Sequence, residues 1–272
     1  MANLIIDIKY QKLGMINLFA FAYVMFAFVT RTKALLGQAV KTPGARARCM
    51  TIMASQIDKC LSNPKWPEEW PFKEEDFRRQ DETSDSLFYG SERFVHHIDD
   101  GARAALTKYY KENIAKGSDV LDICSSWVSH YPTDLKLGRV AGLGMVRGEM
   151  KENSQLTEFT VKDLNIDPQL PYEENSFDVV TCVVSADYLT QPLQVFREIS
   201  RVLRPGGKAI VSQSNRCFPT KAINIWLNTN DLEHVFIIGA YFHYTNSFHP
   251  PVSKDISPMF GDPMYIIEAI SL

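Results

Sequence analysis

Polar and reactive side chains crowd one short stretch of this sequence. In VLDICSSWVSH, Asp122, Cys124, Ser125, Ser126 and Trp127 directly follow or interrupt an apolar run. Side chains at the end of a strand are where a polar ligand is met in an open α/β sheet. Further groups of this kind recur in the loop segments DLN (Asp163, Leu164), CVVSADYL (Val183, Ser185, Tyr188) and SNRCFPTK (Asn215, Arg216, Lys221), and upstream in VHHIDD (His97, Asp99). The cations Arg216 and Lys221 would suit a carboxylate or phosphate, and His97 and Tyr188 are the candidate bases. For each of these six substrate-side residues taken singly, a surface or packing role is the competing reading. His, Cys and acidic residues nowhere show metal-ligand spacing. The five cysteines, at 49, 60, 124, 182 and 217, include no C-x-x-C pair and read as reduced thiols.

Regular elements must hold these loops. Apolar, β-rich runs predict strands over 119–123, 139–143, 158–162, 177–184 and 208–212, with a last one over 264–269. They alternate with helical or irregular stretches, which implies a mostly parallel sheet. Asp99 or Asp100 can cap a helix that places Ala102, Ala105, Leu106, Tyr109 and Ile114 near one face and ends by Gly117. Pro192 suits the first turn of a second helix, with the stripe Val195, Phe196, Ile199, Val202 and Leu203, and Pro205, Gly206 and Gly207 should stop it. A helical stretch around 222–226, a mixed apolar segment over 234–244 and a closing antiparallel hairpin follow. Gly142, Gly144 and Gly148 invite a dinucleotide-binding reading, but Arg147 stands where G-x-G-x-x-G needs its third glycine, and the set follows the second strand of the unit rather than the first.

The run DLNIDPQLPYEENSFDVVTCVVSADYLTQPLQVFREISRVLRPGGKAIVS resembles the class I S-adenosylmethionine-dependent methyltransferases of the type 11, quinone-biosynthesis-like kind. The resemblance implies a Rossmann-like methyltransferase fold over 89–272: a mostly parallel seven-stranded sheet, helices on both faces, an antiparallel last strand. It implies S-adenosylmethionine as cofactor and methyl transfer to a small organic acceptor. It aligns Asp122 with the family's first-strand acid, sets Asp163 with Leu164 against adenine, and sets the backbone of 182–185, including Val183 and Ser185, beside the methionine part. Two departures stand out. Cys124, Ser125, Ser126, Trp127 and Val128 occupy the place of the family's glycine-rich turn, and Gly144 and Met145 occupy the place of its ribose-binding acid. The chain is similar to a subgroup that shares the CSSWVSH loop. Either the Ser125 and Ser126 hydroxyls replace glycine amides at the methionine carboxylate while Trp127 shields the site, or the loop is packed shut.

With 45% hydrophobic residues, 22% charged residues and a net charge of -3, the composition is that of a globular protein and carries no signature of a nucleic-acid partner. The charge-free run Leu13 to Thr30 is followed by Arg31, Lys33, Lys41, Arg46 and Arg48, with no acid between Asp7 and Asp58. Such a segment reads as a targeting or anchor region over 1–50, with plastid import and processing near Cys49 to Ala54, or with membrane association if it is retained. Residues 51–88, rich in Trp and Pro, read as an extension ahead of the 89–272 domain. The rival to an enzyme is a methyltransferase-like subunit without catalysis, serving an organelle membrane complex.

Overall fold

The computed structural model describes residues 56–272. The run Leu13 to Thr30 and the expected processing region lie outside them. No helix among the described residues is long and apolar enough to cross a membrane. Residues 65–72 group apart from the unit made by 56–64 and 73–272. Within that short piece the rings of Trp70 and Phe72 meet edge to face at 4.8 Å.

The larger unit is built on β1 (Val120–Ile123), β2 (Val140–Gly144), β3 (Glu158–Val161), β4 (Phe177–Val183), β5 (Leu203–Gln213), β6 (Val252–Asp255) and β7 (Tyr265–Ile270). Its helices are α1 (Asp85–Phe88), α2 (Asp100–Asn113), α3 (Arg147–Glu152), α4 (Pro192–Val202), α5 (Asn224–Leu227) and α6 (Asp231–Thr245). One seven-stranded sheet runs β3-β2-β1-β4-β5-β7-β6. The first five strands are parallel, β7 runs antiparallel to β5, and β6 runs antiparallel to β7. This is the Rossmann-like methyltransferase fold expected from the sequence.

Burial explains why the strands read as apolar runs: every residue of β1 and β2 is buried, as expected for parallel strands covered on both faces. On one face, Val120, Val140, Val179, Ile210 and Ile266 meet Leu106, Tyr109, Tyr110 and Ile114 of α2 and its C-terminal cap. Asp99 caps α2 by accepting from the Ala102 N–H at 2.9 Å. The stripe of α4 packs on α6, with Phe196 against Tyr241 at 5.3 Å and Phe242 at 4.8 Å.

Three expectations need correction. The mixed apolar segment over 234–244 is the interior of α6, buried on nearly every side; a helix surrounded by protein shows no amphipathic stripe to read. The helix α4 ends at Val202, before Pro205 and the two glycines, because β5 already begins at Leu203 beside Phe177 of β4. Residues of the expected extension also belong to the larger unit: Ile57 is fully buried, and its carbonyl accepts from Ser253 Oγ of β6 at 2.6 Å.

Candidate active site at the carboxyl end of the sheet

The winding direction reverses between β1 and β4, which pair with each other while their onward connections lead to opposite edges. A crevice opens at such a point. Here a cavity of about 400 Å³ lies there, within the range of small-molecule sites. Each cofactor-side residue singled out in the sequence borders it: Asp122, Cys124, Ser125, Ser126, Trp127, Gly144, Met145, Asp163, Leu164, Val183 and Ser185. Backbone in the left-handed region flanks the reversal on both sides, at Cys124 (φ 55°) and Val184 (φ 41°). For a β-branched residue such as Val184 that conformation is strained, and strain of this kind collects at functional sites.

The loop after β1 is held by hydrogen bonds that start from buried acids. Asp122 accepts from Ser125 Oγ at 2.8 Å, Ser129 Oγ at 2.7 Å and Thr181 Oγ1 at 3.1 Å. Burial pushes its carboxyl up to about 6, and the three hydroxyls oppose that shift. Glu149, in the first turn of α3, accepts from Ser126 Oγ at 2.8 Å and from the Arg93 N–H at 2.7 Å. Asn153 donates to the Ser126 carbonyl at 2.9 Å. Both serine hydroxyl protons are therefore committed to Asp122 and Glu149, and they are not available for a ligand carboxylate as one sequence reading had them. The loop is not packed shut either, since the cavity remains beside it.

Gly144 has a reason to be glycine. A Cβ there would stand 2.1 Å from the Ser125 carbonyl oxygen, so the serine loop lies directly on the end of β2. The close backbone approach expected of a glycine-rich first loop is found here at the end of the second strand. The neighbouring Cys124 side chain and burial push the Cys182 thiol well above the usual thiol value.

On the far side of the cleft, Asp163 Oδ1 accepts from the Asn165 N–H at 2.8 Å. Asn165 donates to Asp85 Oδ2 and to the Tyr188 carbonyl, both at 2.9 Å, and so ties the loop after β3 to the loop after β4. Over the mouth runs a strap, 89–98. Trp127 Nε1 donates to the Val95 carbonyl at 3.1 Å, and the His96 ring stacks on the indole at 4.6 Å.

The substrate-side residues divide. His97, Tyr188 and Arg216 border the cavity; Asp99, Asn215 and Lys221 do not. Lys221 is fully buried, donating to the carbonyls of Asp81 at 3.2 Å and Thr83 at 2.6 Å and pairing with Asp85 at 3.2 Å, so it pins residues 81–85 instead of meeting a ligand. Asp99 exchanges hydrogen bonds with Asp262, and Arg216 pairs with Asp262 at 2.9 Å. Asn215 is exposed. His97 sits edge to face with Phe218 at 5.4 Å, and burial is the main cause holding its imidazole below the usual value. The Tyr188 hydroxyl accepts from the Phe218 N–H at 2.8 Å, and burial raises its pKa far above the usual phenol value.

Sequence reasoning passed over Arg93, His130, Glu149 and Phe218, which all border the cavity. Burial pushes the His130 imidazole down to about 4. Only Glu149 carried a usable signal, as an acid in the first turn of the helix after the second strand. Among the described residues no cluster of His, Cys, Asp and Glu could hold a metal ion.

The residues around the cavity fit an adenosyl ligand in volume, in the carboxylate of Asp163, and in the buried guanidinium nitrogen Nη1 of Arg93, which has no hydrogen-bond partner. Comparison with known proteins agrees with that chemistry. Residues 134–211 match a family described as a methyltransferase domain. The demethylmenaquinone methyltransferase of Oceanobacillus iheyensis is 30% identical over 170 residues, covering 58% of this chain and 63% of its own length. The enzyme of that name from Listeria monocytogenes serotype 4a is 29% identical over 159 residues, covering 54% of this chain and 56% of its own length. The chain thus spans little more than half to three fifths of these relatives. Among solved structures, a SAM-dependent methyltransferase from Aquifex aeolicus superposes with a TM-score of 0.46 at 16% identity, covering 64% of this chain and 95% of its own. The match to the methyltransferase-domain family begins at residue 134, after the serine loop, and takes in the loop after β3, all of β4 and most of β5.

Proposed function

We propose that this chain transfers a methyl group from S-adenosylmethionine to a small organic acceptor. The observation that carries this reading is the cavity at the β1/β4 reversal, bordered by every cofactor-side residue singled out beforehand. The methyltransferase-domain match over 134–211 and the names of the curated relatives support it. When bound, the cofactor would supply an activated methyl sulfonium. The protein's task is then alignment and exclusion of water.

Asp163 would accept from the adenine amino group, with Leu164 against the ring. Ser185 and the backbone at Val183 would border the methionine part. Trp127, fixed by Val95 and His96, would close the mouth. The rings of Tyr89, Tyr188 and Phe218 line the acceptor side and favour a flat, largely apolar molecule, which agrees with the quinone in the relatives' names. His97 is neutral at pH 7, its imidazole held down by burial, and can take a proton from the acceptor.

Calorimetry of the full chain with S-adenosylmethionine and S-adenosylhomocysteine tests the reading. Binding is expected, and Asp163→Ala should weaken it by about 1.5 to 3 kcal/mol, the worth of a charge-assisted hydrogen bond. No heat from either ligand at millimolar concentration would end the enzyme reading in favour of a non-catalytic subunit. The plastid assignment and processing near Cys49 to Ala54 stay part of the proposal, and N-terminal sequencing of protein from its native source decides them.

A further inference from the structure

We infer that Arg93 binds the carboxylate of the cofactor's methionine chain, a role for which neither the family's motif region nor the serine loop provides a cation. The inference rests on the proposed use of S-adenosylmethionine. Three cationic side chains of Lys or Arg border the cavity: Arg93, Lys162 and Arg216. Lys162 pairs with Asp167 at 2.7 Å and Arg216 with Asp262 at 2.9 Å. Arg93 has no carboxylate partner among the described residues.

Its surroundings fix the guanidinium without satisfying it. The backbone N–H of Arg93 donates to Glu149, which anchors the strap to α3. Nη2 donates to the Phe88 carbonyl at 2.7 Å, and the guanidinium carbon lies 4.4 Å from the Phe88 ring centre and 5.6 Å from that of Phe218. Nη1 is buried and has no hydrogen-bond partner. A buried cationic N–H without an acceptor is costly, so such a group is expected to meet one when the site is filled. Of the four acids that border the cavity, Asp85 pairs with Arg79 and Lys221, Asp122 holds three hydroxyls, each Glu149 oxygen takes a donor, and none is paired with the Arg93 guanidinium. An acceptor brought by the ligand would meet Nη1.

A carboxylate is the ligand group that matches. It is planar and anionic, it suits the fork of a guanidinium, and the aromatic faces around Arg93 keep water from weakening the pair. With the adenosyl part directed to Asp163, the amino-acid end of the cofactor falls toward the β1/β4 reversal, beneath the strap. The serine hydroxyls cannot take this role, because their protons go to Asp122 and Glu149.

The test uses two ligands that differ by one carboxylate: S-adenosylmethionine and its decarboxylated form, titrated calorimetrically into the full-length protein. Wild type should bind the carboxylated ligand about 10- to 100-fold more tightly. Arg93→Met, which keeps an unbranched apolar stem and removes the charge, should erase that preference while leaving affinity for the decarboxylated ligand within about twofold. Arg93→Lys should restore part of it, and serves as the informative variant if Arg93→Met does not fold. Equal loss for both ligands, or an undiminished preference in Arg93→Met, overturns the inference and leaves the proposed function standing. A wild type that binds the two ligands equally overturns it as well, and one that binds neither brings down both readings.

Discussion

The two walls of the cavity differ in how their polar groups are used. On the wall made by the loop after β1, the end of β2 and α3, the buried acids Asp122 and Glu149 and the hydroxyls of Ser125, Ser126 and Ser129 are bonded to one another or to backbone. On the wall made by the strap and the loop after β5, aromatic rings surround a guanidinium with an unmet N–H. A network satisfied within the protein rigidifies what it holds. The first wall therefore sets shape, and the second keeps its hydrogen-bonding capacity for what enters.

The hardest blow to the first wall is Gly144→Ala, whose Cβ would meet the Ser125 carbonyl oxygen at 2.1 Å. The atom met at that distance is backbone, so no side-chain rotation relieves the clash. Stability should fall by about 3 kcal/mol, read from the denaturant midpoint, with loss of cofactor binding. Unchanged values would mean that the serine loop does not rest on β2.

A gentler probe of that wall is pH. In the unfolded chain an aspartate titrates near 4, whereas Asp122 in the fold is pushed up to about 6 by burial. The folded state then keeps a proton that the unfolded state gives up. Its stabilising effect is complete below about pH 4 and lost as pH rises through 6, on the order of 2 to 3 kcal/mol. Unfolding measured across that window should show the decline in wild type and a flatter profile in Asp122→Asn. Identical slopes would remove Asp122 as its source.

The smallest effect is expected where the walls meet, at Trp127, which touches the strap through Val95 and His96. Trp127→Ala should lower cofactor affinity about tenfold while changing stability by about 1 kcal/mol. A larger change in stability than in affinity would make this indole a packing residue.

The sequence was readable where one short stretch answers to one local rule. The strands expected over 119–123 and 139–143, which in the sheet are the fully buried Val120–Ile123 and Val140–Gly144, showed themselves as mainly apolar runs, and the cap at Asp99 and the proline at 192 marked helix starts within a residue. Legibility failed where burial removes the pattern, as in α6, and where a residue's partner lies far along the chain. Lys221 looked like a ligand-binding cation beside Arg216. Nothing local reveals that Asp81, Thr83 and Asp85, more than 130 residues upstream, enclose it.

The sequence by itself determined the alternation of elements, and with it the sheet and the end of the sheet at which ligand-facing loops collect, because periodicity and strand burial are short-range consequences of residue order. Which polar groups remain free to bind was decided only by the tertiary structure. Ser125 and Arg93 are both polar residues in loops near the same cavity. One is bonded to Asp122 three positions before it, while the other is carried by the strap to a place where Glu149, 56 residues away, takes its backbone N–H and aromatic rings enclose its charge. Hydrogen-bonding capacity is left over only after long-range contacts have consumed the rest, and those contacts exist only in the folded chain.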